Sequence, residues 1–551
     1  MDWKGKPISK EKHGGSRAAW FIYFMVATTS TIYMPNLLDM VLYLRKSMHM
    51  GIADSATTIA NLVSGTCAFS LLGGFLSDSY ITRFKAILIF GPFEVLGFGL
   101  LALQAHFPSL HPPKCDSTDP ESNCREVHGY NAALLYTAMY TVAFGEGCLR
   151  ANLASFGGDQ FDDEDPAESR KKSSFFNWFG FSTAVGNVSG LILIVWIENN
   201  KGWAIGFALS ALLLLVGLTV LASGFAFYSN QRPRGSPLTR MLQVFVAAFK
   251  NRKLDLPPPE ELLHQEVLEK EEIVIGEVLP HTEGLKCLDK ASIIGGNADK
   301  WSLCPITQVE ETKVVVRMLP IFISSVLGYI PIPLLFTLTV QQGSAMNTQL
   351  GHIRIATPSL LIIPLIFQML LLVLYDRFFV PLARKLTGLK TGITHLQRIG
   401  VGFLFTATAT SIAALIEMKR KRIAKEHGMP MTVMWVAIQF LAVGITEVCQ
   451  FVGLLEFFNS EVSRGMKSLG TAIFWCMVGL ASLLGSVLID AVNGATSNLG
   501  GPNNNGWLEG NNLNKSYLDR FYWLLSLLEL LSFLNYLYWA KRYVYRRDPR
   551  G

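Results

Sequence analysis

Three ionisable residues lie deep inside long apolar stretches: Glu146 and Arg150 in one, Glu447 in another. A charge in hydrocarbon costs about 3 kcal/mol or more, so such residues mark binding, pairing or proton transfer by default. Arg150 stays protonated and requires an anionic partner. Glu146 lies four residues back on the same helical face, at pairing distance. Glu447, from the far half of the chain, is the alternative partner, and the spacing leaves both open. Glu146 and Glu447 also carry carboxylates able to bind and release a proton. Asp39, Glu94 and Glu529 fall in apolar stretches too. Asp39 and Glu529 lie near helix ends or partners. Structural and functional roles stay open for these two, whereas Glu94 follows Gly91-Pro92, where it can satisfy a helix break, and a structural role is expected there.

The stretches that hold these residues define the class of protein. Of 551 residues, 50% are apolar and 16% charged, against roughly 25% charged in a soluble protein. The mean hydropathy is +0.32. Soluble domains lack the charges here to cover their surfaces, and disorder is excluded by the abundance of Phe, Leu, Ile and Val. A polytopic protein of the lipid bilayer remains. The net charge of +6 is too diffuse to indicate nucleic acid and fits cytosolic loops rich in Lys and Arg. A helix needs about 20 apolar residues to cross the membrane. Runs of that kind fall at roughly 18–44, 55–77, 86–107, 130–152, 175–198 and 203–228, then at 314–340, 355–383, 397–417, 431–458, 467–492 and 518–544. The expected organisation is a cytosolic N-terminus (1–17), a six-helix bundle (18–228), a cytosolic linker (229–312), a second six-helix bundle (313–545) and a cytosolic tail (546–551). This outline resembles the major facilitator architecture, an all-α membrane fold of twelve transmembrane helices in two bundles. The leader Met1 to Ser16 is polar and carries no small-residue cleavage site, so no signal peptide is expected.

Loop charge sets the orientation. Asp78 to Lys85, the linker, Arg377 to Arg398 and the pair Arg464/Lys467 carry much of the Lys and Arg, which places them and both termini in the cytosol. Lys419, Arg420, Lys421, Arg422 and Lys425 disagree, falling outside by helix count. Two loops carry a matching device: Asp78, Arg83 and Lys85 after the second span, Asp376 and Arg377 after the eighth. An acidic residue at a helix end beside basic residues in a tight loop suits a cytosolic gate, and its recurrence fits repeated halves related by an axis along the membrane normal. Of eight cysteines, Cys115 and Cys124 share an outer loop, where a disulfide or two free thiols are the alternatives. Asn514-Lys-Ser, in another outer loop, is a glycosylation candidate.

Several motifs occur in order along the chain: Phe156-Gly-Gly-Asp-Gln-Phe161, Phe175-Phe-Asn177, Gln308-Val-Glu-Glu-Thr-Lys313, Leu455-Glu-Phe-Phe458 and Phe521-Tyr-Trp523. Together they resemble the plant nitrate and peptide transporter family, the plant branch of the proton-coupled oligopeptide transporters, and the resemblance spans the whole chain. Leu88-Ile-Phe-Gly-Pro-Phe-Glu-Val-Leu-Gly97, Gln104-Ala-His106 and His111-Pro-Pro-Lys-Cys115 look most like the branch linked to abscisic acid and gibberellin. The resemblance implies a substrate site between the halves. The family's fourth-helix lysine corresponds to Arg150 in Gly147-Cys-Leu-Arg150-Ala-Asn152, and its tenth-helix glutamate partner to Glu447. The first-helix Glu-x-x-Glu-Arg motif of proton coupling falls on Val26, Ala27, Thr28, Thr29 and Ser30, so all its charges are missing. The seventh-helix histidine of nitrate-carrying members falls on Ile332. The candidate binding residues are Arg150, Glu447, Tyr33, Tyr329, Gln450 and Trp475.

The expected activity is secondary transport, across the plasma membrane, of a small organic anion such as abscisic acid or gibberellin, with proton coupling weakened by the absent first-helix motif. The alternatives are low-affinity nitrate transport and a non-transporting sensor on the same fold. No nucleophile–base pair, Gly-rich phosphate loop or metal cluster stands out, so an enzyme is not expected and no cofactor is implied.

Overall fold

In hydrocarbon a chain must satisfy its own backbone hydrogen bonds, which makes long apolar runs helical. The computed structural model describes residues 13–50, 52–112, 127–161, 166–231, 237–254, 281–293, 301–350, 353–354, 357–388, 392–427, 430–463, 466–497, 506–508, 513 and 516–545. Cys115, Cys124, Arg464 and Asn514 lie outside them. The first half contains α1 (Gly15–Lys46), α2 (Ile52–Ser79), α3 (Arg83–His106), α4 (Gly129–Gly158), α5 (Pro166–Lys201) and α6 (Trp203–Ser223). A shorter helix, α7 (Pro237–Lys250), follows. In the second half, α8 (Ile306–Tyr329) and α9 (Pro331–Ser344) form one rod. A π turn at Tyr375–Phe379 joins α10 (Ile362–Leu374) to α11 (Val380–Thr387), and another at Glu447–Phe451 joins α13 (Val436–Thr446) to α14 (Val452–Glu461). The remaining long helices are α12 (His395–His427), α15 (Lys467–Thr496) and α16 (Leu518–Arg542). The described strands form one two-residue ladder, Gln349–Leu350 with Ile353–Arg354.

Eleven of the described rods are long and apolar enough to cross a bilayer. The twelfth long helix, α1, has 32 residues and packs along α5 and α6. Its apolar content is diluted by the run Thr28 to Thr31, whose threonines fold their hydroxyls back on the helix: Thr28 donates to the Phe24 carbonyl (2.9 Å) and Thr31 to that of Ala27 (2.7 Å). Each half has its own apolar core, around Tyr43, Phe98, Phe156 and Phe207 in the first and Phe403, Phe457, Phe474 and Tyr536 in the second. The halves meet along two long seams, α2 on α15 and α5 on α10, with α4 also touching α15. Residues brought to the middle of these seams are therefore shared by both bundles.

The linker is anchored to the second half. Helix α8 starts at Ile306, so the last residues of the linker drawn from sequence are already helical, and the motif Gln308 to Lys313 forms its first turns. Gln308 donates to the Arg240 carbonyl of α7 (2.8 Å), and Arg240 pairs with Glu311 (2.9 Å). The fully buried Lys313 ammonium reaches Asp289 (2.6 Å), Glu310 (2.7 Å) and the Thr282 carbonyl (2.9 Å). Asp289, Glu310 and His281 cluster as metal ligands do, but Lys313 already supplies the cation.

Candidate functional site

The position of Glu146 follows from its neighbours in sequence. It stands between Gly145 and Gly147, and each glycine admits another backbone. A Cβ on Gly145 would lie 2.5 Å from the Glu94 nitrogen of α3, and one on Gly147 would lie 2.9 Å from the Phe69 Cβ of α2. Helix α4 is thus wedged between α3 and α2, and Glu146 is 1% exposed. One turn on, Arg150 donates from Nε to Glu146 Oε1. Its guanidinium carbon stands 4.3 Å from the centre of the Tyr33 ring and 4.5 Å from that of Trp475. Tyr33 comes from α1 and is fixed through its hydroxyl to Thr66 (2.9 Å). Trp475 comes from α15 and is packed against Phe451 and Phe474, at ring separations of 5.8 and 5.1 Å. The guanidinium is therefore held between aromatic rings of the two halves, in a geometry worth about 2 kcal/mol when desolvated. Its side chain keeps 24% of its exposure while Glu146 keeps 1%, so the open edge of the ion pair is the arginine.

The structure chooses between the two partners that spacing left open. Arg150 pairs with Glu146, not with Glu447. The i, i+4 partner is in reach without any help from the other bundle, whereas Glu447 opens the π turn between α13 and α14 and is approached by the Tyr329 hydroxyl of α8 at 3.5 Å. Tyr329 and Glu447 thus meet within the second half, and the contact from Arg150 to that half is Trp475. Gln450 is a packing residue in this conformation: it is fully buried, accepts from Thr406 (3.1 Å) and donates to the Gly328 carbonyl (3.3 Å). Ile332 is buried in the second-half core and presents no polar group.

One end of the seam is closed by polar contacts. Arg83 pairs with Asp78 (2.8 Å) and with Asp159, the acidic residue of Phe156-Gly-Gly-Asp-Gln-Phe161. The other Asp78 oxygen accepts from the Leu469 backbone nitrogen (3.0 Å), near the start of α15. A carboxylate at that position also favours the positive end of a helix. Ser155 and Thr471 bond across the same seam (2.9 Å). Lys85 takes no part in this lock: its side chain is exposed, and its backbone nitrogen is capped by Thr82. The second-half device works differently from the first. Asp376 accepts from Asn177 (2.6 Å) and Ser174 (3.4 Å) of α5, across the second seam, while Arg377 is exposed. The buried arginine there is Arg398, which pairs with Glu456 (3.2 Å) and lies over Tyr375.

Sequence reasoning missed Asp159, Asn177 and Arg398 as members of these contacts. The motifs containing Asp159 and Asn177 carried the signal, but their partners lie on other helices. The basic run that opposed the loop-charge rule is largely neutralised by local partners. Arg420 is buried on Glu417 (2.6 Å), Lys421 pairs with Asp519, and Lys419 lies over the Trp435 ring.

The model of the POT family matches residues 84–508. Protein NRT1/PTR FAMILY 4.4 of Arabidopsis thaliana is 41% identical over 548 residues, covering 98% of this chain and 90% of that protein. Protein NRT1/PTR FAMILY 4.6 of the same plant is 38% identical, over 99% of this chain and 97% of that one. Among solved structures, an auto-inhibited POT family peptide transporter superposes with a TM-score of 0.67 at 19% identity, covering 96% of this chain and 97% of its own. The POT family transporter PepTSo does so with a TM-score of 0.69 at 16% identity, over 96% and 98%.

Proposed function

The chain belongs to the POT family, in its plant NRT1/PTR branch, and from that premise we propose that this multi-pass secondary transporter carries a small organic anion, abscisic acid or a gibberellin. It is a transporter and not an enzyme. The observation that carries the reading is the cation held between two aromatic rings: Arg150 between Tyr33 and Trp475. A carboxylate takes the guanidinium fork in two parallel hydrogen bonds. The apolar body to which it is attached gains contact with the rings on either side, which a bare inorganic anion does not. The buried Ile332, where nitrate-carrying members have histidine, supports the same ranking, as does the resemblance of residues 88–115 to the hormone-linked branch.

In the proposed cycle the anion binds at Arg150 between the bundles. Rocking of the halves then exposes it alternately to each side. The end that carries Asp78 and Asp376 is assigned to the cytosol, where Asp78–Leu469 and Asn177–Asp376 are the contacts that break on opening. Both termini lie on that side, and the membrane is the plasma membrane. Glu447 and Tyr329 complete the second-half wall once the halves move.

The test is uptake of radiolabelled abscisic acid and gibberellin by oocytes expressing the protein, each with and without excess nitrate. The expected result is hormone uptake above water-injected oocytes that nitrate does not compete. Robust nitrate currents without hormone competition establish the nitrate alternative instead. Saturable hormone binding without uptake establishes a sensor.

A further inference from the structure

A second carboxyl is buried beside the ion pair. Glu94, on α3, has no exposed surface, and neither of its oxygens has a donor among the described residues. Glu146 Oε2, the oxygen not taken by Arg150, also lacks one. The two carboxyls lie on neighbouring turns of α3 and α4, which pack closely against each other here. Gly145 makes this approach possible, since a Cβ there would stand 2.6 Å from the Glu94 Cβ. Two carboxylates repel each other, whereas a carboxylic acid and a carboxylate share a hydrogen bond. Charge balance requires the same arrangement. One guanidinium buried against two carboxyls is neutral only when one of the carboxyls holds a proton, and an uncompensated buried charge is strongly disfavoured.

Among the described residues, the surrounding helices supply no other counter-charge. Helix α6, packed along α3, has no ionisable side chain over Trp203–Ser223. At this level α2 contributes the buried thiol of Cys67, α1 the Tyr33 hydroxyl already bonded to Thr66, and α15 the thiol of Cys476. Among the described residues, the charged groups that act on Glu94 are Glu146 and Arg150.

We propose that Glu94 and Glu146 form a one-proton dyad that is the coupling site of this transporter, taking a second proton when a substrate anion displaces Glu146 from Arg150. The anion occupies the guanidinium donors, Glu146 loses its cation, and the site carries one excess negative charge. A proton entering from the open Arg150 edge binds the Glu146 carboxylate and restores neutrality. Release of the anion returns Arg150 to Glu146 and expels that proton, so one proton accompanies one anion and no bond other than O–H is made or broken. The dyad supplies the carboxyls that Val26 to Ser30 of the first helix do not. Its ligand-driven step rests on the organic-anion reading, whereas the resting proton does not.

Two measurements on purified full-length protein separate these claims. In infrared spectra at neutral pH, the wild type minus Glu94→Gln difference should show one carboxylic acid band present only in the wild type. Equal acid intensity in both overturns the dyad. Abscisic acid is then added in weak buffer with a pH dye, while binding of the labelled compound is counted separately. The wild type should take up one proton per bound anion, and so should Glu94→Gln, which keeps Glu146 as the acceptor, whereas Glu94→Gln/Glu146→Gln should bind the anion without proton uptake. Proton uptake by that double variant equal to wild type overturns the coupling role. If abscisic acid does not bind the wild type, the substrate reading fails and the infrared difference alone decides the dyad. Glu146→Gln is the second variant should Glu94→Gln not accumulate. Its remaining carboxyl, Glu94, ionises against Arg150, so it too should lose the acid band while keeping the linked proton.

Discussion

Arg150→Ala should abolish anion uptake while the protein still reaches the membrane in normal amount. The substitution removes the cation proposed to bind the substrate carboxylate, the group that lies over the rings of Tyr33 and Trp475. Hydrogen bonds to charged groups contribute about 1.5–3 kcal/mol each. Losing a two-bond fork therefore weakens binding by roughly 100-fold or more, at 1.4 kcal/mol per tenfold. Folding is expected to survive for a reason specific to this site. Glu146 and Glu94, left without their cation, can both take protons and become a neutral pair, so no ionised group stays stranded. Arg150→Lys is the informative companion. It keeps the charge but replaces a planar fork by a point charge that cannot lie flat against both rings, so reduced rather than absent uptake is expected. Surface labelling and uptake of labelled abscisic acid measure both quantities on the same cells. Wild-type uptake by the alanine variant would remove Arg150 from the mechanism.

What the chain reveals by itself divides along a physical line. Contacts made within one helix, or within one run of hydropathy, were legible: the membrane class, the two bundles and the Glu146–Arg150 spacing all follow from period and composition. Contacts between helices were legible only as unpaired halves. Asp78 and Arg83 sit five residues apart and pair, but their third member, Asp159, caps the end of α4. Glu94 has a plausible local explanation in Gly91-Pro92, and its true neighbour depends on how closely Gly145 lets α3 and α4 approach. Lys85 fails for a related reason. Loop charge says that the basic residues lie near one membrane face, not which side chain turns inward, and Arg83 does so while Lys85 stays in solvent. The seams α2/α15 and α5/α10 join residues hundreds of positions apart, so no local pattern names Leu469 as the partner of Asp78 or Asn177 as that of Asp376.

Arg83→Ala should be the most destabilising single change in the polar lock. The Arg83 side chain is 8% exposed and its carboxylate partners, Asp78 and Asp159, are each 1% exposed. Removing one member of a buried ion pair costs about 3–5 kcal/mol because it leaves the other charge uncompensated, and here two carboxylates lose their shared cation at once. Thermal unfolding in detergent, followed by intrinsic fluorescence, should therefore show a clear fall in Tm. Asp159→Asn alone should cost less, since Arg83 keeps Asp78 and the asparagine amide can still hydrogen-bond. Adding Asp159→Asn to Arg83→Ala should recover part of the loss by removing one of the two orphaned charges. Asp78→Asn separates stability from gating. It leaves Arg83 with Asp159 but loses the charged contact to the Leu469 nitrogen (3.0 Å), the link from this triad to the second half. That variant should keep most of its Tm and yet expose Ser155 and Thr471 on the α4–α15 seam more often. Single cysteines placed at those two positions should then react faster with a membrane-impermeant maleimide applied from the side proposed to be cytosolic. Wild-type Tm in Arg83→Ala would show that the triad does not hold the end closed. An unchanged maleimide rate in Asp78→Asn would place the gate at the Asn177–Asp376 seam alone.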